Sequence, residues 1–301
     1  MWWNTLDGFR WEATRNKEGY DIVFVDELHL FNRQERLTFR QLLRDPNAIP
    51  SVLMAYDAKQ SPRDSFLGLP GSDTKPYDLW KDARLGKVDK IELVDVFRYS
   101  PQIAKALKCF DQSFPGQDLD DEWPAYKGIS QTKDGPIPIV CTLESAMAVY
   151  STVFERARNI QRSLGKHGRI ALLCASNARF KRFLDYGDFK EYYYAVTSRD
   201  DAAGIPVSTR KFIFSTPEYV AGLQFDTVLL IEVNLDEVPS GPYAAAALRK
   251  FASQVYLGAS RAERRLEIYA SANHGGIASL ISQAVLLGAV QKKEKDELPT
   301  A

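Results

Sequence analysis

Short runs of apolar, often β-branched residues alternate with helical patterns along nearly the whole chain, and several of those runs are apolar at every position. A strand with one wet face alternates apolar and polar side chains. One that is apolar throughout must be covered on both faces, as in a parallel sheet between helical layers. The runs read as strands are 22–25, 52–55, 137–140, 170–174, 212–214, 227–231 and 266–269. Between them, Ser100-Pro101 supplies an N-cap and a first-turn proline ahead of Ile103, Leu107 and Phe110, which share one helical face. A helix from about Glu144 is expected to bury Met147, Tyr150, Phe154 and Ala157 and to stop at Gly165, and a shorter one is expected from about Arg33 to Arg44. The expected fold class is therefore α/β with mainly parallel strands.

Lys+Arg and Asp+Glu balance at 39 each in 301 residues, so the net charge marks no polyanionic partner, although a local cluster of Arg and Lys is invisible in that sum. Cys109, Cys141 and Cys174 are odd in number, far apart and set among apolar residues, which fits reduced core thiols of a cytoplasmic protein better than disulfides or a zinc site. Met1-Trp2-Trp3-Asn4 shows no basic region followed by an apolar stretch, and no apolar run reaches membrane length, so neither a signal peptide nor a membrane span is expected. Residues 112–136 are rich in Asp, Gly, Pro and Gln and read as a long loop or small insertion, and 291–301 as a polar tail.

Five local patterns carry chemistry. The first apolar strand ends in Asp26-Glu27, a pair suited to a Mg²⁺ shell and an attacking water. The second leads into Asp57-Ala58-Lys59-Gln60-Ser61, where the Gln60 amide has the chemistry of a phosphate sensor. Arg98 precedes the Ser100 cap. Thr216 opens a loop that closes with Gly222-Leu223-Gln224-Phe225-Asp226, and Ser260-Arg261-Ala262 precedes the last long strand.

In this order and at this approximate spacing, from Tyr20 to Ser271, the five patterns resemble those of UvrD/Rep-like superfamily 1 helicases. The resemblance implies a P-loop NTPase (RecA-like) architecture with one partial lobe at 1–90 and one nearly complete lobe at 91–290, the insertion near 112–136 being reduced. It implies ATP and Mg²⁺ as ligands, with Asp26 on the metal and Glu27 as the catalytic acid. Gln60 would then meet the terminal phosphate, Gly222 and Gln224 the nucleotide, and Arg98 and Arg261 the phosphates, Arg261 as the arginine finger. Phe66 and Thr216 would contact nucleic acid. The chain departs from the family at His29, Tyr56, Ala221 and Gln224, where Gln, Gly, Lys and Glu are usual, and Tyr219 stands near the usual His.

The family's phosphate loop, Gly-x-x-x-x-Gly-Lys-Thr/Ser, has no counterpart from Met1 to Gly19, so the chain alone is not expected to hydrolyse ATP. The leading expectation is a subunit that contributes its acidic, sensor and arginine residues to a composite ATP site acting on nucleic acid, with another chain supplying the loop. The alternative is a non-catalytic, degenerate helicase module serving a nuclease or defence complex. A third is a fragment whose loop lies upstream. The edge of the 52–55 strand is expected to need cover, from Met1–Arg15 with Trp2, Trp3, Phe9 and Trp11 or from a protein partner. Single-stranded or duplex DNA is a further expected partner, and a membrane is not.

Overall fold

The computed structural model describes residues 19–28, 31, 33–45, 52–55, 57, 89, 91–113, 126–164, 169–205, 210–237 and 244–299. The chain divides into two compact units, one of residues 1–92 with 120–123 and one of 93–119 with 124–301.

In the first unit, β1 (Val23–Val25) and β2 (Val52–Met54) pair in parallel, Val23 beside Val52 and Val25 beside Met54. Helix α1 (Arg33–Thr38) tightens into a 3-10 turn over Phe39–Leu42, so the helix expected to run to Arg44 keeps its place but not its regularity. One side of the pair is a small core of Val23, Val25, Leu28, Phe39, Leu42 and Leu43. Gly19 sits at φ 69°, and a Cβ there would lie 2.5 Å from the Arg44 nitrogen. Only glycine lets this backbone approach, in which the Arg44 amide donates to the Tyr20 carbonyl at 2.9 Å. The anticipated cover at Met1–Arg15 falls outside the described residues.

The second unit is built on a parallel sheet. Its strands are β5 (Ile139–Leu143), β6 (Ile170–Cys174), β7 (Tyr193–Val196), β8 (Phe212–Ser215), β9 (Phe225–Ile231), β10 (Ala262–Ser271) and β11 (Gln291–Lys292), in the spatial order β11-β5-β10-β9-β6-β8-β7. Every described pairing in it is parallel. A separate parallel ribbon joins β3 (Asp95–Val96) to β4 (Ile129–Ser130), giving the region read as loop one short strand. The expectation of an α/β fold with mainly parallel strands is met.

Alternation along the buried strands explains why they are apolar throughout. Ala171, Leu173, Val228 and Leu230 face one helical layer, made of α2 (Pro101–Gln112), α6 (Ala244–Ala259) and α7 (Ser279–Leu286). Ile170, Leu172, Leu229 and Ile231 face the other, made of α3 (Ala146–Ser163) and α4 (Asn177–Asp185). A short helix, α5 (Arg199–Ala203), follows β7. Each fully buried Leu, Ile or Phe stabilises the sheet by about 1.5–3 kcal/mol relative to exposure.

Ser100 caps α2 as expected, its hydroxyl accepting from the Ile103 amide at 3.4 Å with Pro101 in the first turn. Ser145 caps α3. Tyr150, Phe154 and Ala157 are buried on α3, but Met147 is 53% exposed, and in its turn it is Ala146, Ala148 and Val149 that pack on the core. Gly165, the expected stop, lies outside the described residues, and Leu164 closes the helix.

The segment read as a polar tail is polar but folded. Gln291 and Lys293 donate to the Pro138 and Val140 carbonyls at 2.8 and 2.9 Å, Leu298 packs on the core, and Arg156 donates to the Pro299 carbonyl at 2.8 Å. Arg156 also holds Glu267 in a two-pronged pair at 2.6 and 2.8 Å. The three cysteines are free and buried, as expected, and burial pushes the Cys141 thiol up to about 11. No helix among the described residues is long and apolar enough to cross a membrane.

Candidate functional site

In the first unit β1 delivers Asp26 and Glu27 at its carboxyl end. The Glu27 amide donates to Asp26 Oδ1 at 2.9 Å, and the Leu28 amide donates to the Ala55 carbonyl at 2.9 Å, which ties this turn to the end of β2. Glu27 takes φ 51°, a left-handed conformation that costs a residue with a Cβ about 1 kcal/mol or more. An adjacent carboxylate pair fits Mg²⁺, which prefers one or two carboxylates and keeps its remaining positions for water and phosphate oxygens. Gln60, Phe66, His29 and Tyr56 lie outside the described residues.

In the second unit three segments far apart in sequence meet at the amino-terminal ends of β9 and β10. Arg98 lies between β3 and α2, and two residues later the Ser100 amide donates to the Glu263 carbonyl at 3.0 Å. The Phe225 amide donates to the Arg261 carbonyl at 2.9 Å, so the Gly222–Gln224 turn leads directly alongside the Arg261 turn. Gly222 has φ 88° with open space where a Cβ would stand, so glycine is needed for the conformation and not for packing. Burial raises the Glu263 carboxyl above its ordinary value, the Asp226 charge raises it further, and the Arg98 charge opposes both. Arg98, Asp226 and Glu263 are therefore one electrostatic group. Asp226 Oδ2 also accepts from the Arg169 amide at 2.8 Å.

Arg261 is wholly buried. Its Nε donates to the Leu257 carbonyl and to Ser260 Oγ, both at 3.3 Å, and Nη2 donates to Ser260 Oγ at 3.1 Å. A guanidinium on the last-turn carbonyls of α6 complements the negative end of that helix. Thr216 is not part of this group. Ser215 is level with Leu173 and Leu230 across the sheet, five positions beyond Phe225 on β9, about 16 Å along the strands. Thr216 is 1% exposed, and its Oγ1 has no hydrogen-bond partner among the described residues.

A second charged group, missed in the sequence, occupies the opposite ends of the strands. Arg179, in the first turn of α4, pairs through Nη1 with Glu232 Oε2 at 3.0 Å, through Nη2 with Asp236 at 3.1 Å and through Nε with Glu237 at 2.6 Å. Asn234 donates to Glu232 Oε2 at 2.6 Å and accepts the Ser271 amide at 2.8 Å, while His274 Nδ1 meets Asp236 at 2.7 Å. Glu232 is fully buried at φ 59°, and burial raises its carboxyl even though Arg179 and Asn234 pull the other way. The signal was available: Glu232 follows the apolar run ending at Ile231, just as Asp26 follows Val25. Asp226 stood within the quoted pattern without a role, and nothing in the sequence marked Glu263.

No family model and no curated protein matches the chain. Among solved structures, the C-terminal domain of a possible DNA helicase from Lactobacillus plantarum is 15% identical with a TM-score of 0.45, over 65% of this chain and 98% of that one. Arterivirus nonstructural protein 10, a helicase, is 14% identical with a TM-score of 0.38, over 83% of this chain and 39% of its own length.

Proposed function

We propose that the chain is a helicase-like module whose second unit supplies the arginine-bearing half of a composite nucleotide site, with ATP and Mg²⁺ as its ligands. The observation that carries this reading is the convergence at the starts of β9 and β10. Arg98, Gly222–Gln224 and Arg261, the three second-unit segments that resemble UvrD-like helicases, lie around one group of charged residues. In this reading Asp26 holds the metal, Glu27 orients water, Gln60 senses the terminal phosphate, Gln224 accepts or donates to a ribose hydroxyl, and Arg98 neutralises phosphate charge. A phosphate loop from outside residues 1–301 cradles the β- and γ-phosphates.

A second reading, a degenerate module without catalysis, is favoured by one observation: the Arg261 guanidinium is buried on its own helix end. The two readings part in one experiment. The native assembly is purified through this chain and its ATPase rate measured with wild-type, Glu27→Gln and Arg261→Ala chains. The composite site requires losses of about 10³-fold, the scale of an arginine finger or a misplaced water. Unchanged rates in both variants leave only the non-catalytic module.

A further inference from the structure

Strand β10 does not keep step with β9. Ala262 pairs with Phe225 and Arg265 with Thr227, so Glu263 and Arg264 together stand against Asp226 alone. An extra residue of this kind bends its strand and re-aims the side chains beside it. Two neighbours hold the bulge. The Ser100 amide donates to the Glu263 carbonyl at 3.0 Å, and a Cβ on Gly135 would lie 2.8 Å from the Arg264 carbonyl oxygen and 2.9 Å from Ser100 Cβ, so only a residue without a Cβ lets that loop close over it. The Gly135 amide is fixed in turn by Gln102 Oε1 at 2.8 Å.

What the bulge presents is a carboxylate. Glu263 is half-buried, the Asp226 charge opposes its ionisation, and the charge that favours it is Arg98, two residues before the Ser100 contact. On the neighbouring elements Asp134 accepts from Gln102 at 3.0 Å and Arg265 pairs with Glu267 at 2.6 Å, while Lys133 and Arg264 are exposed. Arg98 is therefore the cation that balances two carboxylates at this bulge. An ion pair between half-buried groups is screened by water, whereas a guanidinium meets phosphate in short, charge-assisted and often two-pronged contacts. A phosphate oxygen can thus take Arg98 from Glu263, and a water molecule cannot.

We propose that Glu263 is a positioning residue of the nucleotide site: it holds Arg98 at the starts of β9 and β10 and gives it up to a phosphate of the arriving nucleotide. The proposal rests on the nucleotide reading above and adds to it a carboxylate that competes with the ligand. Competition has a sign. Ionised Glu263 opposes binding by keeping Arg98, and protonated Glu263 does not. Nucleotide affinity accordingly contains a part that is gained as pH falls through the Glu263 titration, and Glu263→Gln has that gain at every pH.

Glu263→Gln keeps the backbone carbonyl that Ser100 contacts, so the bulge stays as it is. Binding of a non-hydrolysable ATP analogue with Mg²⁺ is measured by calorimetry on the native assembly purified through this chain. Glu263→Gln is expected to bind about two- to fivefold more tightly than wild type, the range of a screened ion pair, with the gap closing as pH is lowered. In an Arg98→Ala background the same substitution is expected to change affinity by less than about 1.5-fold. Equal or weaker binding by Glu263→Gln overturns the proposal. So does a tightening that survives in full without Arg98, because the carboxylate would then act on the nucleotide directly. The nucleotide reading fails by a different result, a wild-type assembly that takes up no analogue, and the proposal falls with it. Carbon-13 spectra of the full chain read the pairing without any nucleotide: Arg98→Ala should raise the titration midpoint of the Glu263 carboxyl, and an unmoved midpoint overturns the pairing while leaving the nucleotide reading intact.

Discussion

At the starts of β9 and β10, Arg98, Asp226 and Glu263 influence one another while still partly open to water; at the ends of β6 and β9, Glu232 is fully buried and Arg179 nearly so. Both groups pair arginine with carboxylates on the same strands, yet the first can exchange partners and the second cannot. In open parallel sheets the crevice for ligands is normally at the carboxyl ends, where successive connections leave on opposite faces. That divergence is present here, since β6 leads to α4 on one face and β9 to α6 on the other. The crevice is spanned by the Arg179 network, which joins α4, the turn after β9 and, through His274, the turn after β10. In the proposed reading the nucleotide therefore lies at the opposite rim.

Removing Arg179 breaks this comparison most directly. In Arg179→Ala three carboxylates lose their common cation, and Glu232, at 0% exposure, keeps only Asn234. Deleting one partner of a buried ion pair typically costs about 3–5 kcal/mol, because the remaining charge is stranded in low dielectric. Chemical denaturation should show a loss of that size; a change under about 1 kcal/mol would mean the crevice is open to water and available to ligands.

Glu232→Gln sharpens the comparison with a smaller effect. The folded-state carboxyl of Glu232 lies above its ordinary 4.5, so the folded chain holds this proton more tightly than the unfolded chain. Its contribution to stability is complete below pH 4.5 and is lost as pH rises through the raised value. Glu267 runs the other way. Burial favours its neutral form, but the Arg156 and Arg265 guanidiniums hold it below 4.5, so its contribution is present above that value and disappears in acid. In Glu232→Gln the decline that sets in as pH rises above 4.5 should vanish, while the acid limb set by Glu267 stays. Denaturation midpoints across pH would show it, and parallel curves would place Glu232 among ordinary carboxylates.

The sheet was legible because burial on both faces demands unbroken apolar runs, and β6 falls where the residues Ile170–Cys174 predict it. Strand β7 was not, since Tyr192 to Tyr194 also suits a loop until Phe212 and Phe214 give it a partner. Strand β11 is two polar residues whose place depends on the Pro138 and Val140 carbonyls. Among site residues, those placed by a strand end or a glycine, such as Asp26 and Gly222, were visible locally. Glu263 and Arg179 acquire meaning only through residues distant in sequence, Arg98 in one case and Glu232 in the other.

Arg98→Ala is expected to have the least effect on folding and so separates a ligand residue from a structural one. Arg98 is partly exposed, so its attraction to Glu263 is screened by water, and such an ion pair contributes about 0–1 kcal/mol. Its loss should remove the attraction that opposes burial and Asp226 at Glu263, raising that carboxyl further, and lower the stability by less than about 0.5 kcal/mol. Nucleotide affinity in the assembled complex should nonetheless fall, because a charge-assisted contact to phosphate contributes about 1.5–3 kcal/mol when water is excluded. Large binding loss with small stability loss is the signature of a residue kept for a ligand. If Arg98→Ala instead destabilised the chain as much as Arg179→Ala, the two rims would be built alike, and the assignment of the nucleotide to the starts of β9 and β10 would fall with the distinction.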